Sequence, residues 1–157
     1  MKRSDVLLMV LTAAGGVPFS LTQIIKALYI VQQEAPDLLD EFPYVFRAGD
    51  YGPTCDTIFF DLHELSDNGL VLSTVKGNLL WAASVKGADL ARNWFTHLPG
   101  SKVDYLKQVS EFVLGLSFVE LIAAVCKKYP VICENLIFKG EDECQTVKDV
   151  KANESSQ

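Results

Sequence analysis

The stretch Leu70-Val71-Leu72-Ser73-Thr74-Val75-Lys76-Gly77-Asn78-Leu79-Leu80-Trp81-Ala82-Ala83 decides the fold. Apolar and β-branched residues fill two short runs, and Lys76-Gly77-Asn78 between them has tight-turn chemistry. The reading is a strand over 70–75 and a returning strand over 79–83. A hairpin of this size is not stable alone in water and has to pack on helices.

Helices are legible on both sides of it. Upstream, Ser4 reads as an N-cap with Asp5 at the positive end of the helix dipole. Val6, Leu7, Val10, Leu11 and Ala14 then form a helical stripe that Gly15-Gly16 ends. Ser20 and Gln23 form an S-x-x-Q capping box for a second helix, whose buried face is Ile24, Ile25, Leu28 and Val31 and which stops before Pro36. Residues 36–51 are irregular, with Tyr44-Val45-Phe46 as a short extended piece. Gly49-Asp50-Tyr51-Gly52-Pro53 is a turn cluster. Pro53 or Thr54 opens a third helix, with Ile58, Phe59, Leu62 and Leu65 on one face and Asn68-Gly69 as its stop. Helix, helix, helix, hairpin is the order of a winged helix. Downstream, 85–97 reads as a helix, Leu98-Pro99-Gly100 as its end, and 104–116 and 117–129 as two more, the last with a Ser117/Glu120 box. The expected fold class is mainly α with a small β-hairpin. A winged-helix-like core at 1–83 is joined to a C-terminal helical extension at 84–138 in the same domain, and 139–157 reads as a disordered tail.

Composition narrows the function. The chain has 157 residues, with 49% apolar, enough for one domain with a core. Its net charge of −6, from 14 Lys+Arg against 20 Asp+Glu, argues against a general polyanion binder. The uncharged run 6–25 is broken by Thr12, Gly15, Gly16, Pro18, Ser20, Thr22 and Gln23, so it reads as capped helices rather than a membrane span or a signal peptide. The four cysteines, Cys55, Cys126, Cys133 and Cys144, make no C-x-x-C and no metal-ligand spacing with His63 or His97. Cys126, after an apolar helical run, reads as a small buried hydrophobe. A Cys133–Cys144 disulfide is an alternative, but reduced thiols in a cytoplasmic protein are the default reading.

Two segments carry a family resemblance. Tyr44-Val45-Phe46 leads into Tyr51-Gly52-Pro53, then a leucine-punctuated helix through Leu62 and Leu65 to Gly69-Leu70. Phe118-Val119-Glu120-Leu121-Ile122 runs to Lys128-Tyr129-Pro130 and on to Asn135-Leu136-Ile137-Phe138. Over roughly residues 5–138 this resembles the Panacea (SocA-like antitoxin) domains and, more fully, the YwgA-like proteins. The resemblance implies a winged-helix fold and a protein that acts by binding another protein.

The third helix carries Asp56, Asp61, Glu64 and Asp67 and no Lys or Arg, the wrong charge for a groove-reading helix. These acids and the turn residues point to a protein partner of basic character. The expected partner-binding residues are Asp50, Tyr51, Asp56, Asp61 and Glu64. The expected function is a non-enzymatic acidic interaction module, antitoxin-like or associated with defence and counter-defence. The alternative is a sequence-specific DNA-binding regulator that touches phosphate through Lys2, Arg3, Lys76 and Asn78, with Lys26 and Lys86 as further members of a basic patch. The apolar surplus of the last two helices, from Val113 to Val125, suggests a homodimer. Tyr44, Phe46, Phe59 and Phe60 suggest an aromatic cluster beside the turn. No nucleophile–base–oxyanion constellation can be assembled, and no cofactor or metal is expected; the acid clusters Asp40-Glu41 and Glu141-Asp142-Glu143 read as solvated surface. His63 reads as a boundary side chain and His97 as a helix-end residue.

Overall fold

Six consecutive apolar side chains, Val6 to Leu11, are all buried in the first helix, α1 (Arg3–Ala13). A helix that is apolar on every side has to be enclosed, and four helices and a strand enclose this one. The computed structural model describes residues 1–39 and 42–137. In it, α1 contacts α2 (Leu21–Glu34), α3 (Asp56–Asp67), α4 (Val85–Phe95), α5 (Gly100–Leu114) and the strand β5 (Asn78–Ala83). The sequence reading assigned α1 one stripe; Leu8 and Met9 lie outside that stripe and are also buried, because α4 and α5 cover the far side. Each such side chain contributes roughly 1.5–3 kcal/mol of transfer free energy. Ser110 of α5 donates from its hydroxyl to the Val10 carbonyl at 3.0 Å, so even the buried polar group there is satisfied.

The architecture is mainly helical with two small antiparallel sheets. β4 (Val71–Lys76) pairs with β5 through the turn at Gly77, and Val71 faces Ala83. A two-residue strand, β1 (Phe19–Ser20), adds to the other edge of β5 with Phe19 opposite Trp81, giving the order β1-β5-β4. The base of the hairpin is tied to α4 by Ser84. Its N–H donates to the Leu70 carbonyl at 2.9 Å, and its hydroxyl donates to the Gly69 carbonyl at 2.6 Å while accepting from Gly87 N–H. Gly87 is required there, since a Cβ would lie 2.0 Å from the Leu70 carbonyl oxygen.

Several boundaries differ from the sequence reading. Lys2, not Ser4, caps α1, and the Asp5 carboxylate accepts the Lys2 N–H at 3.0 Å. α5 starts at Gly100 rather than 104. The Tyr44–Phe46 segment forms no strand. Instead β2 (Arg47–Gly49) pairs with β3 (Gly52–Thr54), turning over Asp50 and Tyr51. Pro53 therefore sits opposite Ala48 in a strand, and α3 begins only at Asp56 with extended Cys55 as its cap. Gly52, at φ +92°, permits the tight return. The Ser20/Gln23 and Ser117/Glu120 boxes form as read, and the latter opens α6 (Phe118–Lys128).

The cysteine reading is corrected. Cys126 is bonded to Cys133, and buried Cys55 is the free thiol among the described residues. Pro130 ends the α6 run and a short 3₁₀ turn, Val131–Cys133, brings the second sulfur back to the helix. The reduced-thiol argument for a cytoplasmic setting therefore does not hold. Because Cys133 is taken by Cys126, the Cys133–Cys144 alternative is also corrected; the tail 139–157 and both acid clusters lie outside the described residues. The apolar surplus of α5 and α6 is largely used inside the domain: Val113, Val119, Leu121, Ile122 and Val125 are buried, and Leu114, Leu116 and Phe118 half-buried. Among the described residues, no helix is long and apolar enough to cross a membrane. Closing a short loop on the chain-entropy estimate, the disulfide stabilises by about 2 kcal/mol. Urea titration of a Cys126→Ser, Cys133→Ser double variant should show a loss of that size without loss of far-UV helical signal.

Candidate functional site

The residues predicted to bind a partner separate into three environments. Asp61 points inward. Its carboxylate accepts from Arg3 Nε at 3.1 Å and from the Tyr44 hydroxyl at 2.7 Å, and its side chain is only 12% exposed. Arg3 also lies over the Tyr44 ring, 4.9 Å from its centroid. Burial first, and then the hydrogen bond to Asp61, push the Tyr44 phenol well above its ordinary value, so it stays a donor. Asp61 is thus a strut joining α1, the 42–46 segment and α3. This corrects its assignment to partner binding, and it equally corrects the assignment of Arg3 to phosphate, since that charge is already paired.

Asp56 and Glu64 are exposed on the outer face of α3, as expected. Asp56 lies 3.6 Å from Arg47 across open surface, a pairing of small energetic value. Between the acids stand aromatic rings. Phe60 is 65% exposed and Phe59 is exposed beside it, with ring centroids 6.2 Å apart. Phe59 meets His63 edge-on at 4.4 Å, and His63 meets buried Trp81 of β5 at 5.6 Å. An aromatic ladder therefore runs from the core to the outside of α3. Residues two apart on a strand, and those directly opposite across a pair, share a face. Leu79 stands two residues from Trp81 and opposite Val75, so both continue this face along the hairpin, and both are exposed. The sequence reading listed Phe59 and Phe60 with Tyr44 and Phe46 as one cluster. The structure splits them, because Tyr44 and Phe46 pack inward with Tyr29.

Asp50 and Tyr51 lie elsewhere, on the β2–β3 turn. The Tyr51 ring meets Phe118 of α6 edge-on at 5.3 Å. The Asp50 carbonyl accepts from Ile137 N–H at 3.1 Å, and Asn135 donates to the Ala48 carbonyl at 3.0 Å. Under this turn lies a mostly polar cavity of about 410 Å³ lined by Lys26, Arg47, Asp50, Tyr51 and Asn135 among others. Lys26 was expected on a basic surface patch, yet it is 4% exposed. β3 packs over that side of α2, and the Val131–Cys133 turn packs in turn on β2 and β3. Its ammonium donates to the Pro53 carbonyl at 2.9 Å, and burial lowers its pKa to about 8. A Cβ on Gly52 would stand 3.8 Å from Lys26 Nζ, 3.2 Å from Cys133 Sγ and 3.4 Å from Cys126 Sγ, so lysine and disulfide share one spot under the turn.

Of the alternative phosphate-binding set, Lys2 is exposed at the start of α1, and Lys76 and Asn78 are exposed as Cα partners at the hairpin tip. Lys86 donates to the Asn68 carbonyl. With Arg3 paired and Lys26 buried, two members of the expected basic patch are withdrawn from the surface. His97 sits just past the end of α4, its Nδ1 2.9 Å from the Asn93 carbonyl oxygen, in keeping with a helix-end role. Among the described residues, no group of three His, Cys, Asp or Glu side chains is placed to hold a metal ion.

Two outcomes follow. Asp61→Ala should cost about 2 kcal/mol in chemical denaturation, since it leaves the Tyr44 hydroxyl and the Arg3 guanidinium without their acceptor. For Lys26 the unfolded chain holds its proton up to about 10.5, whereas the folded chain releases it near 8. The unfolded state therefore binds more protons in that window, and stability should rise with pH there by up to about 1.4 kcal/mol per unit. Urea midpoints compared with Lys26→Met, which should lack this rise, check it. No protein-family model, curated protein or solved structure matches the chain.

Proposed function

We propose that the chain is a non-enzymatic interaction module of winged-helix type whose α3–hairpin face binds a basic protein. Three helices ahead of a hairpin, with β1 completing a β1-β5-β4 sheet, support the winged-helix reading. On that reading α3 occupies the place of a groove-reading helix and β4–β5 the place of the wing. The observation that carries the proposal is the composition of this face. Phe59 and Phe60 stand exposed on a helix whose outward-facing charged residues, Asp56, Glu64 and Asp67, are all acidic. Exposed aromatics within a polar rim supply the anchors of a protein interface, and an acidic rim selects a cationic partner. The same rim repels a phosphate backbone. The resemblance to Panacea and YwgA-like proteins is compatible with an antitoxin-like or counter-defence role, in which one protein is neutralised by direct binding.

The test is selection of binders from a display library of cationic peptides carrying aromatic and aliphatic anchors. Selected peptides should lose about 30-fold in affinity on Phe60→Asp, equivalent to about 2 kcal/mol at an interface anchor. The fold should be unaffected, since the ring is mostly exposed. Absence of any such binder, together with salt-dependent duplex DNA binding that Lys76→Glu abolishes, would overturn the proposal in favour of a DNA-binding regulator.

A further inference from the structure

The cavity under the Asp50–Tyr51 turn has a feature the α3–hairpin face lacks: a buried cation with unused donors. A lysine ammonium has three N–H groups. Among the described residues, the Pro53 carbonyl is the hydrogen-bond acceptor for Lys26 Nζ, and no carboxylate pairs with it. At 4% exposure the side chain is largely withdrawn from water, yet it lines an open cavity. A buried charge left this way is costly unless something supplies acceptors and opposite charge. Arg47 lines the same cavity, and its planar fork matches carboxylate and phosphate oxygens. Thr22, Thr54 and Asn135 add neutral polar groups to the wall.

We infer that this cavity is a receptor for a small oxyanion, held between the Lys26 ammonium and the Arg47 guanidinium. The site is built rather than incidental. Gly52 has no side chain, and a Cβ there would press on Cys133 Sγ at 3.2 Å and come into contact with Cys126 Sγ and Lys26 Nζ. The Asn135 and Ile137 hydrogen bonds hold the turn in place beside the cavity. The inference does not rest on the α3–hairpin reading, because Lys26 and the turn lie outside that face.

The other charged and titratable groups at the cavity are Arg47, Asp50 and Tyr51, with Asp56 near Arg47. The neighbouring sulfurs are in a disulfide and do not titrate. Asp50 opposes anion entry and Asp56 offsets part of the Arg47 charge, so the buried ammonium supplies the main attraction. Binding then needs the protonated lysine and weakens as pH rises through about 8. Between pH 7 and pH 9 the protonated fraction falls about tenfold.

The experiment is an amide NMR titration of the full chain with sodium acetate and, separately, sodium phosphate. Saturable shifts at Gly49, Gly52 and Asn135 are expected with one or both probes. Saturation by acetate assigns a carboxylate ligand class, and saturation by phosphate alone assigns a phosphate class. Acetate keeps a fixed charge over the range, so its affinity, where it binds, should drop about tenfold from pH 7 to pH 9. Lys26→Met should abolish saturation, and Arg47→Gln, on a mostly exposed side chain, should weaken it with the fold intact. No saturation by either probe would overturn the inference, as would binding that both variants leave unchanged.

Discussion

Enclosure of α1 is the constraint on which the rest of the structure depends. A helix with apolar residues around its whole circumference has no stable position except the middle of a domain. The elements α2, α3 and β5 cover one side of it, and α4 and α5 cover the other. The surfaces left over, the outer faces of α3, the hairpin and the β2–β3 turn, are where the polar and aromatic residues with no structural duty collect. The partition explains why the α3–hairpin face and the cavity are separate. One is built on the helix that leans outward from the core, the other where α2 meets the disulfide-linked end of α6.

Local chemistry made much of the fold legible. Ser20 with Gln23 and Ser117 with Glu120 mark helix starts through bonds three residues apart, and Asn68-Gly69 marks an end. The β4–β5 hairpin is likewise a short-range pattern. What failed was non-local. β1 is two residues long and owes its existence to a partner about sixty residues away. Gly-Pro-Thr has poor strand chemistry, so β3 is visible only once Arg47–Gly49 lies beside it. Four cysteines admit several pairings, and only the return of the chain after Pro130 selects Cys126 with Cys133.

The candidate sites divide in the same way. That α3 is acidic could be read directly, and Asp56 and Glu64 are displayed as that reading requires. Asp61 has the same chemistry and the opposite fate, because Arg3, fifty-eight positions earlier, and Tyr44 both reach it. Lys26 sits among apolar neighbours on α2, where a lone lysine is ordinarily taken for the wet side of a helix. Only the packing of β3 on α2 shows that this side is covered. Phe59 and Phe60 are adjacent in sequence, and the cue separating them from Tyr44 and Phe46 is the register of α3 itself.

The hydroxyl bond from Ser110 to Val10 spans one hundred positions. Its two partners leave the ribosome far apart in time, and the oily helix α1 emerges well before α5. During synthesis that helix has sequence-near neighbours for one flank only. Its other flank stays bare until α4 and α5 arrive, so the nascent chain is exposed to misassociation over most of its length. α4 and α5 therefore complete the enclosure of that helix, and cutting the chain after the hairpin would leave its far flank open to water.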